Sequence, residues 1–154
     1  MIVFRLSKKI YHHDLSGKGA EIAGGRWNNK GTALLYTATN RALCMAEVLV
    51  HQPSGKMPED FWLISIEVPD HAPLQRLDLA ELPVGWDTLP HSLSSKSFGD
   101  TFVSEGKSLG LFVPSVVVKG EWNLLLNPRH PDFFGVKVVE TEPFAFDSRL
   151  FFNK

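Results

Sequence analysis

The chain is predicted to fold as one α+β domain over residues 1–154, with mixed or antiparallel sheets and a few helices. Three observations carry this. Apolar runs of strand length recur along the chain, at Ile2–Leu6, Leu34–Thr37, Phe61–Val68, Leu111–Val118 and Phe134–Thr141. Helical spacing of apolar residues is confined to two stretches, 42–50 and about 94–107. The length of 154 residues suits a single core that buries about two-thirds of the unfolded surface without disulfides.

Charge narrows the classes of function. Sixteen Lys and Arg stand against 17 Asp and Glu, a net charge of -1, with no block of either sign. No electrostatic footprint for nucleic acid or for a membrane surface follows from that balance. The N-terminal run is too short for a signal peptide, and no apolar run approaches the roughly 20 residues that span a bilayer, so a cytoplasmic protein is expected. The lone Cys44 excludes an internal disulfide and a cysteine-based zinc cluster.

Taken in order, Ile2–Leu6 alternates as a strand with Phe4 and Leu6 on one face and Val3 and Arg5 on the other. Arg5 thus points to a cleft or to solvent. Tyr11-His12-His13-Asp14 invites a metal reading, but adjacent histidines point apart in a strand and no distant ligand completes a set, so no metal is expected. From Leu15 to Gly31 the recurrent glycines read as a loop. Leu34-Leu35-Tyr36-Thr37 reads as a buried strand that presents a phenol.

Thr39 or Asn40 caps the helix that follows, and residues 42–50 are apolar all round except at Glu47. That composition predicts a buried helix whose one carboxylate must find a cation or a ligand. Arg26 is the natural cation, in a turn whose glycines at 24, 25 and 31 permit close approach to a phosphate. A structural ion pair and a catalytic cradle both satisfy these residues. A buried pair stabilises a fold poorly compared with apolar replacements, which favours use.

Phe61–Val68 is the clearest strand, with Trp62, Ile64, Ile66 and Val68 inward and Ser65 and Glu67 outward. The proline-rich stretch from His71 to Pro90 reads as a surface excursion with a short helix-like segment at Leu77–Leu82. A helix over about Ser94–Lys107 uses Phe98, Thr101, Phe102 and Glu105 at three-to-four spacing. Leu111–Val118 is strand-like, but Pro114 cannot sit centrally in a ladder, so a bulge or edge is expected at Ser115. Asn127-Pro128 starts a turn after Trp122–Leu126, and Phe134–Thr141 with Phe144–Phe152 complete the sheet. Two phenylalanines in the tail 149–154 suggest docking on the body or a partner.

Arg5, Gly25-Arg26-Trp27-Asn28 with Gly31, Tyr36-Thr37, Ala46-Glu47, Val113-Pro114-Ser115, and Asn123 with Asn127-Pro128 together resemble the RES-domain family, as do Leu82-Pro83, Gly85-Trp86 and Gly99-Asp100. That family comprises toxins of bacterial toxin–antitoxin pairs, similar in fold to diphtheria-toxin-like ADP-ribosyltransferases. The resemblance covers nearly the whole chain. It implies that Arg26, Tyr36 and Glu47 are the catalytic arginine, tyrosine and glutamate of an NAD cleft, and that Arg5, Ser115 and Asn123 are its accessory polar positions. It implies NAD as substrate, cleaved at the nicotinamide–ribose bond with water or phosphate as acceptor, or with a protein acceptor instead. It also implies a partner, a helix-turn-helix antitoxin of the Xre type whose C-terminal end blocks the cleft. A non-catalytic nucleotide-binding module is the alternative from another class.

In that chemistry Glu47 stabilises positive charge developing on the ribose and holds a hydroxyl. Arg26, with Arg5, grips the pyrophosphate. Tyr36 stacks on the nicotinamide or adenine ring. Ser115 holds the incoming water or phosphate and is no covalent nucleophile, because no histidine base is assigned to it.

Overall fold

A computed structural model describes residues 1–53 and 55–151. Seven strands form one sheet in the order β4-β5-β6-β2-β1-β3-β7. Strand β1 is Ile2–Lys8, β2 Leu35–Ala38, β3 Phe61–Glu67, β4 Leu74–Arg76, β5 Gly110–Pro114, β6 Trp122–Leu126 and β7 Lys137–Phe144. All neighbours pair antiparallel except β4 and β5, which run parallel, so the sheet is mixed. Helices α1 (Lys18–Ala23), α2 (Arg41–Leu49) and α3 (Leu93–Glu105) complete the α+β fold.

Register assigns side chains to faces. Ala38 pairs with Asn123 and Tyr36 with Leu125, while Val113 and Leu111 oppose the same two residues of β6. Since opposed residues share a face, Tyr36, Asn123 and Val113 all emerge on one side of the sheet. The opposite side carries a continuous core of Val3, Leu35, Ile64, Ile66, Leu124 and Leu126. On the side of Tyr36 the apolar residues split into two clusters. One packs Trp27, Leu34, Phe102 and Val103 on Leu111, Val113 and Leu125, and the other packs Leu43 and Cys44 on Leu6, Ala38 and Leu63. The site lies between the two clusters.

Several elements differ from expectation for local reasons. The glycine-rich stretch contains α1, six residues whose N-cap Gly17 has φ of 71° and sits against the Leu34 backbone. Strand β4 is three residues long, too short for an alternation to register in the His71–Pro90 segment. Strand β5 stops at Pro114 rather than Val118 and pairs with β6 without a bulge, while β4 reaches only Phe112 on its other side, so β5 is locally an edge where Pro114 lacks its N–H. The C-terminal region contributes only β7, so Phe144 ends a strand rather than beginning one, and Phe152 lies outside the described residues. Phe151 packs on Phe146 at 6.2 Å, which docks the tail on the body as far as it is described.

Both helices present faces other than those expected. In α3 the buried stripe is Ser95, Gly99, Phe102 and Val103, while Thr101 and Glu105 are exposed. A Cβ on Gly99 would stand 1.7 Å from the Trp27 carbonyl oxygen, so glycine lets α3 abut the loop of residues 24–31. In α2 only Leu43 and Cys44 are fully buried. The helix is not enclosed, because its C-terminal half borders two cavities instead of protein. Asn40 caps it, its side-chain oxygen accepting from the Leu43 N–H at 2.8 Å. Strand β3 has Ser65 buried as well as its apolar neighbours, as a strand covered on both faces requires.

Candidate active site

The loop of residues 24–31 is built by two asparagines. Asn28 is fully buried, and its Nδ2 donates to the carbonyls of Ala20, Asn29 and Thr32 at 2.8, 3.1 and 3.1 Å. Its Oδ1 accepts the Tyr36 hydroxyl proton at 2.7 Å, and that hydroxyl accepts from the Trp27 N–H at 3.0 Å. Asn29 is held from α3, where Asp100 accepts from its backbone N–H at 3.0 Å and from its side chain at 2.8 Å. Gly25 brings the backbone so near this network that a Cβ would fall 2.6 Å from the Tyr36 oxygen. Both hydrogen-bonding capacities of the phenol are therefore used by protein, and only the ring faces the cavity. Burial, the largest cause, raises the phenol's pKa above its usual value, so Tyr36 stays neutral.

Arg26 turns away from this network. Its Nη1 donates to the carbonyls of Trp86 and Thr88 at 2.7 and 3.0 Å, fastening the strap of residues 83–92 over the cavity. Trp86 stacks on Trp27 with ring centres 6.4 Å apart, which holds the strap from inside. Burial lowers the Arg26 pKa while Glu47 and Asp87 oppose the shift, and the guanidinium remains a cation.

Glu47 meets hydroxyl and amide donors instead of the expected guanidinium. Its Oε1 accepts from Ser115 Oγ at 2.8 Å and from Asn123 Nδ2 at 2.6 Å. Among the described residues it forms no ion pair with Arg26, which is occupied by carbonyls some sixty residues away in sequence. The Ser115 hydroxyl is positioned by the break after Pro114. Its oxygen accepts the N–H groups of Val117 and Val118 at 3.1 and 3.0 Å, and its proton goes to Glu47. Two donors into one hydroxyl polarise it toward the carboxylate. Ser115 thus holds Glu47 rather than an incoming acceptor. Two donors on Oε1 leave Oε2 without a hydrogen bond among the described residues, which fixes the carboxylate plane with one oxygen available to a ligand.

A cavity of about 810 Å³ joins these groups. Arg26, Tyr36, Glu47 and Asn123 line it together with Trp27, Val113, His51, Leu89 and His91. Its size falls in the range of sites for small molecules and cofactors. Arg5 borders a smaller cavity of about 300 Å³, which shares Tyr36, Glu47 and Asn123 with the first. The Arg5 Nη1 is spent on the Asp14 carbonyl at 2.5 Å, and Arg5 lines the smaller cavity while Arg26 lines the larger. Burial pushes the Cys44 thiol up to about 12, which leaves it inert. Among the described residues no three His, Cys, Asp or Glu side chains gather as a metal would need, and no helix is long and apolar enough to cross a membrane.

Asn28 and Asp100 are the site residues that sequence reasoning did not single out for a role. The signal was present only in part: Gly99-Asp100 stood out as a pair, but its partner Asn29 lies 71 positions away.

The architecture is an α+β fold with a mixed seven-stranded sheet. It superposes with a TM-score of 0.70, at 18% identity, on a chain in the crystal structure of the M. tuberculosis MbcT–MbcA toxin–antitoxin complex, covering 97% of this chain and 86% of that one. Residues 2–147 match the RES domain, and the chain belongs to the RES-domain family of toxins. It is 45% identical over 140 residues to the Prs ADP-ribosylating toxin of Sphingobium sp. (strain YBL2), covering 89% of this chain and 86% of the relative. It is 38% identical over 152 residues to the Toxin Res of Photorhabdus laumondii, covering 97% of both.

Proposed function

We propose that this toxin consumes NAD by cleaving the nicotinamide–ribose bond, with water or phosphate as the acceptor. The observation that carries the reading is the Glu47 carboxylate, oriented by Ser115 and Asn123 and exposed by one oxygen to a cavity that also holds Arg26 and the Tyr36 ring. As the glycosidic bond lengthens, positive charge grows on the ribose ring. A preorganised carboxylate in a partly desolvated site stabilises that charge without reorganising. Its available oxygen also accepts a hydrogen bond from a ribose hydroxyl, which aligns the sugar. Nicotinamide leaves as a neutral base, and the acceptor oxygen bonds to the anomeric carbon and gives up its proton to solvent.

Arg26 supplies charge for the pyrophosphate through the part of its guanidinium not bound to the strap carbonyls. The Tyr36 ring stacks on a base, since its hydroxyl is committed to the loop. Ser115 and Asn123 act through Glu47. NAD is a substrate in this scheme and no metal takes part.

A second reading, transfer of ADP-ribose to a protein, shares every step except the acceptor. The name of the Sphingobium relative, an ADP-ribosylating toxin, favours it. The partner we infer is an antitoxin of the Xre type whose C-terminal segment closes the cleft, since the structural neighbour comes from a toxin–antitoxin complex.

The experiment is incubation of purified protein with NAD, with and without phosphate, with nicotinamide and ribosyl products followed by chromatography. Release of nicotinamide with ADP-ribose or its phosphorylated form supports the first reading. Nicotinamide release only on addition of cell protein, with label carried into that protein, supports the second. Intact NAD under every condition with folded enzyme defeats both.

A further inference from the structure

His51 and His91 line the large cavity beside Arg26 and Glu47, and the chemistry above uses neither. His51 lies in the turn just past α2, two residues beyond Leu49, and lines the same cavity as Glu47. His91 comes three residues after Thr88, whose carbonyl holds Arg26, so the strap brings this imidazole to the guanidinium. The Nδ1 of His91 is buried and takes no hydrogen bond among the described residues. Structural histidines in such settings are normally paired, and an exception is a candidate for function.

The charged surroundings come from four elements. Arg26 stands on the loop of residues 24–31, Asp87 on the strap, Glu47 on α2 with His51 in the turn after it, and Lys96 on α3. Around His91 itself the charged neighbours are the cations Arg26 and Lys96, with the His51 imidazole nearby. Resting on the reading of this cavity as an NAD cleft, we propose that His51 and His91 form a phosphate-binding wall with Arg26. The chemistry recognised is a phosphoryl oxygen, which belongs either to the dinucleotide or to free phosphate arriving as acceptor.

Burial lowers the His91 pKa below its usual value, and the Arg26 and Lys96 cations lower it further. A bound phosphate offsets that cationic crowding and draws a proton onto the ring. The bound-state pKa then lies above the free one, so affinity is gained as pH falls and lost as pH rises through the bound value.

The test is calorimetric titration of full-length wild type, His51→Gln, His91→Gln and the double variant with ADP-ribose and, separately, with inorganic phosphate, at about pH 6 and about pH 8. Wild type is expected to bind more tightly at the lower pH. The double variant should lose about tenfold in affinity there and lose the pH dependence as well. A loss confined to ADP-ribose assigns the wall to the dinucleotide, and a loss confined to inorganic phosphate assigns it to the acceptor. Equal affinities for both probes in wild type and in the single variants, with matching melting curves, overturn the proposal. Wild type that binds ADP-ribose with this dependence but releases no nicotinamide from NAD keeps the wall and loses the enzymatic reading. Wild type that binds neither probe loses the wall.

Discussion

Removing the Tyr36 hydroxyl separates architecture from chemistry. In Tyr36→Phe the Trp27 N–H loses its acceptor at 3.0 Å and the fully buried Asn28 Oδ1 loses its donor at 2.7 Å. An unsatisfied buried polar group costs about 1–3 kcal/mol, so two give roughly 2–6 kcal/mol. For a domain of this size each kcal/mol moves the melting temperature by about 2–4 °C, which predicts a fall of about 4–24 °C. The ring that faces the cavity is unchanged, so kcat for nicotinamide release should stay within about threefold of wild type at a temperature where both are folded. Thermal melting by circular dichroism and initial rates on the same preparations make the comparison. A variant as stable as wild type, with kcat lowered about a hundredfold, refutes the argument and makes the hydroxyl a chemical participant.

Four further outcomes follow from the same geometry. Ser115→Ala removes a donor to Glu47 and the acceptor of two backbone N–H groups, so it should lower both the melting temperature and kcat, the latter by about tenfold, read from melts and rates together. Gly99→Ala places a Cβ 1.7 Å from the Trp27 carbonyl oxygen and should destabilise the fold by about 1–3 kcal/mol or more in denaturant titrations. The Cys44 thiol is raised from 9.0 to about 12, so between those values the unfolded chain has lost its proton and the folded chain keeps it. Stability is therefore full below about pH 9 and should decline as pH rises toward about 12, as urea melts across that range would show. Expression of the wild-type chain alone in bacteria should arrest growth and co-expression of an antitoxin should relieve it; soluble, harmless wild type counts against the toxic activity.

What the sequence conveyed follows the range of its signals. Strands β1 and β3 were legible because four and five apolar residues crowd into short runs, and α2 because Asn40 caps a long apolar run. Arg26 and Glu47 were legible as candidates, since glycine, arginine and an isolated acid in apolar sequence demand an explanation, whereas Asn123 and the place of Tyr36 beside them came only from the resemblance to the family; all four line one cavity. The pairing inside that cavity was not legible. Arg26 binds carbonyls at Trp86 and Thr88, and backbone oxygens leave no mark in composition. Glu47 is held by Ser115 and Asn123, contacts set by the end of β5 and by the register of β6 on β2. Helix α1 and strand β4 are too short for a period to show. Asp100 reads as a solvated helix residue until the fold brings Asn29 to it.

The central claim is that one oriented carboxylate drives bond cleavage in this cavity. Nicotinamide release by Glu47→Gln, measured against wild type with NAD affinity taken on the same samples, tests it most directly. The predicted result is kcat reduced at least about a hundredfold with affinity within about threefold, because the amide keeps the shape of the side chain and loses its charge. Turnover equal to wild type in a folded Glu47→Gln protein would contradict the account.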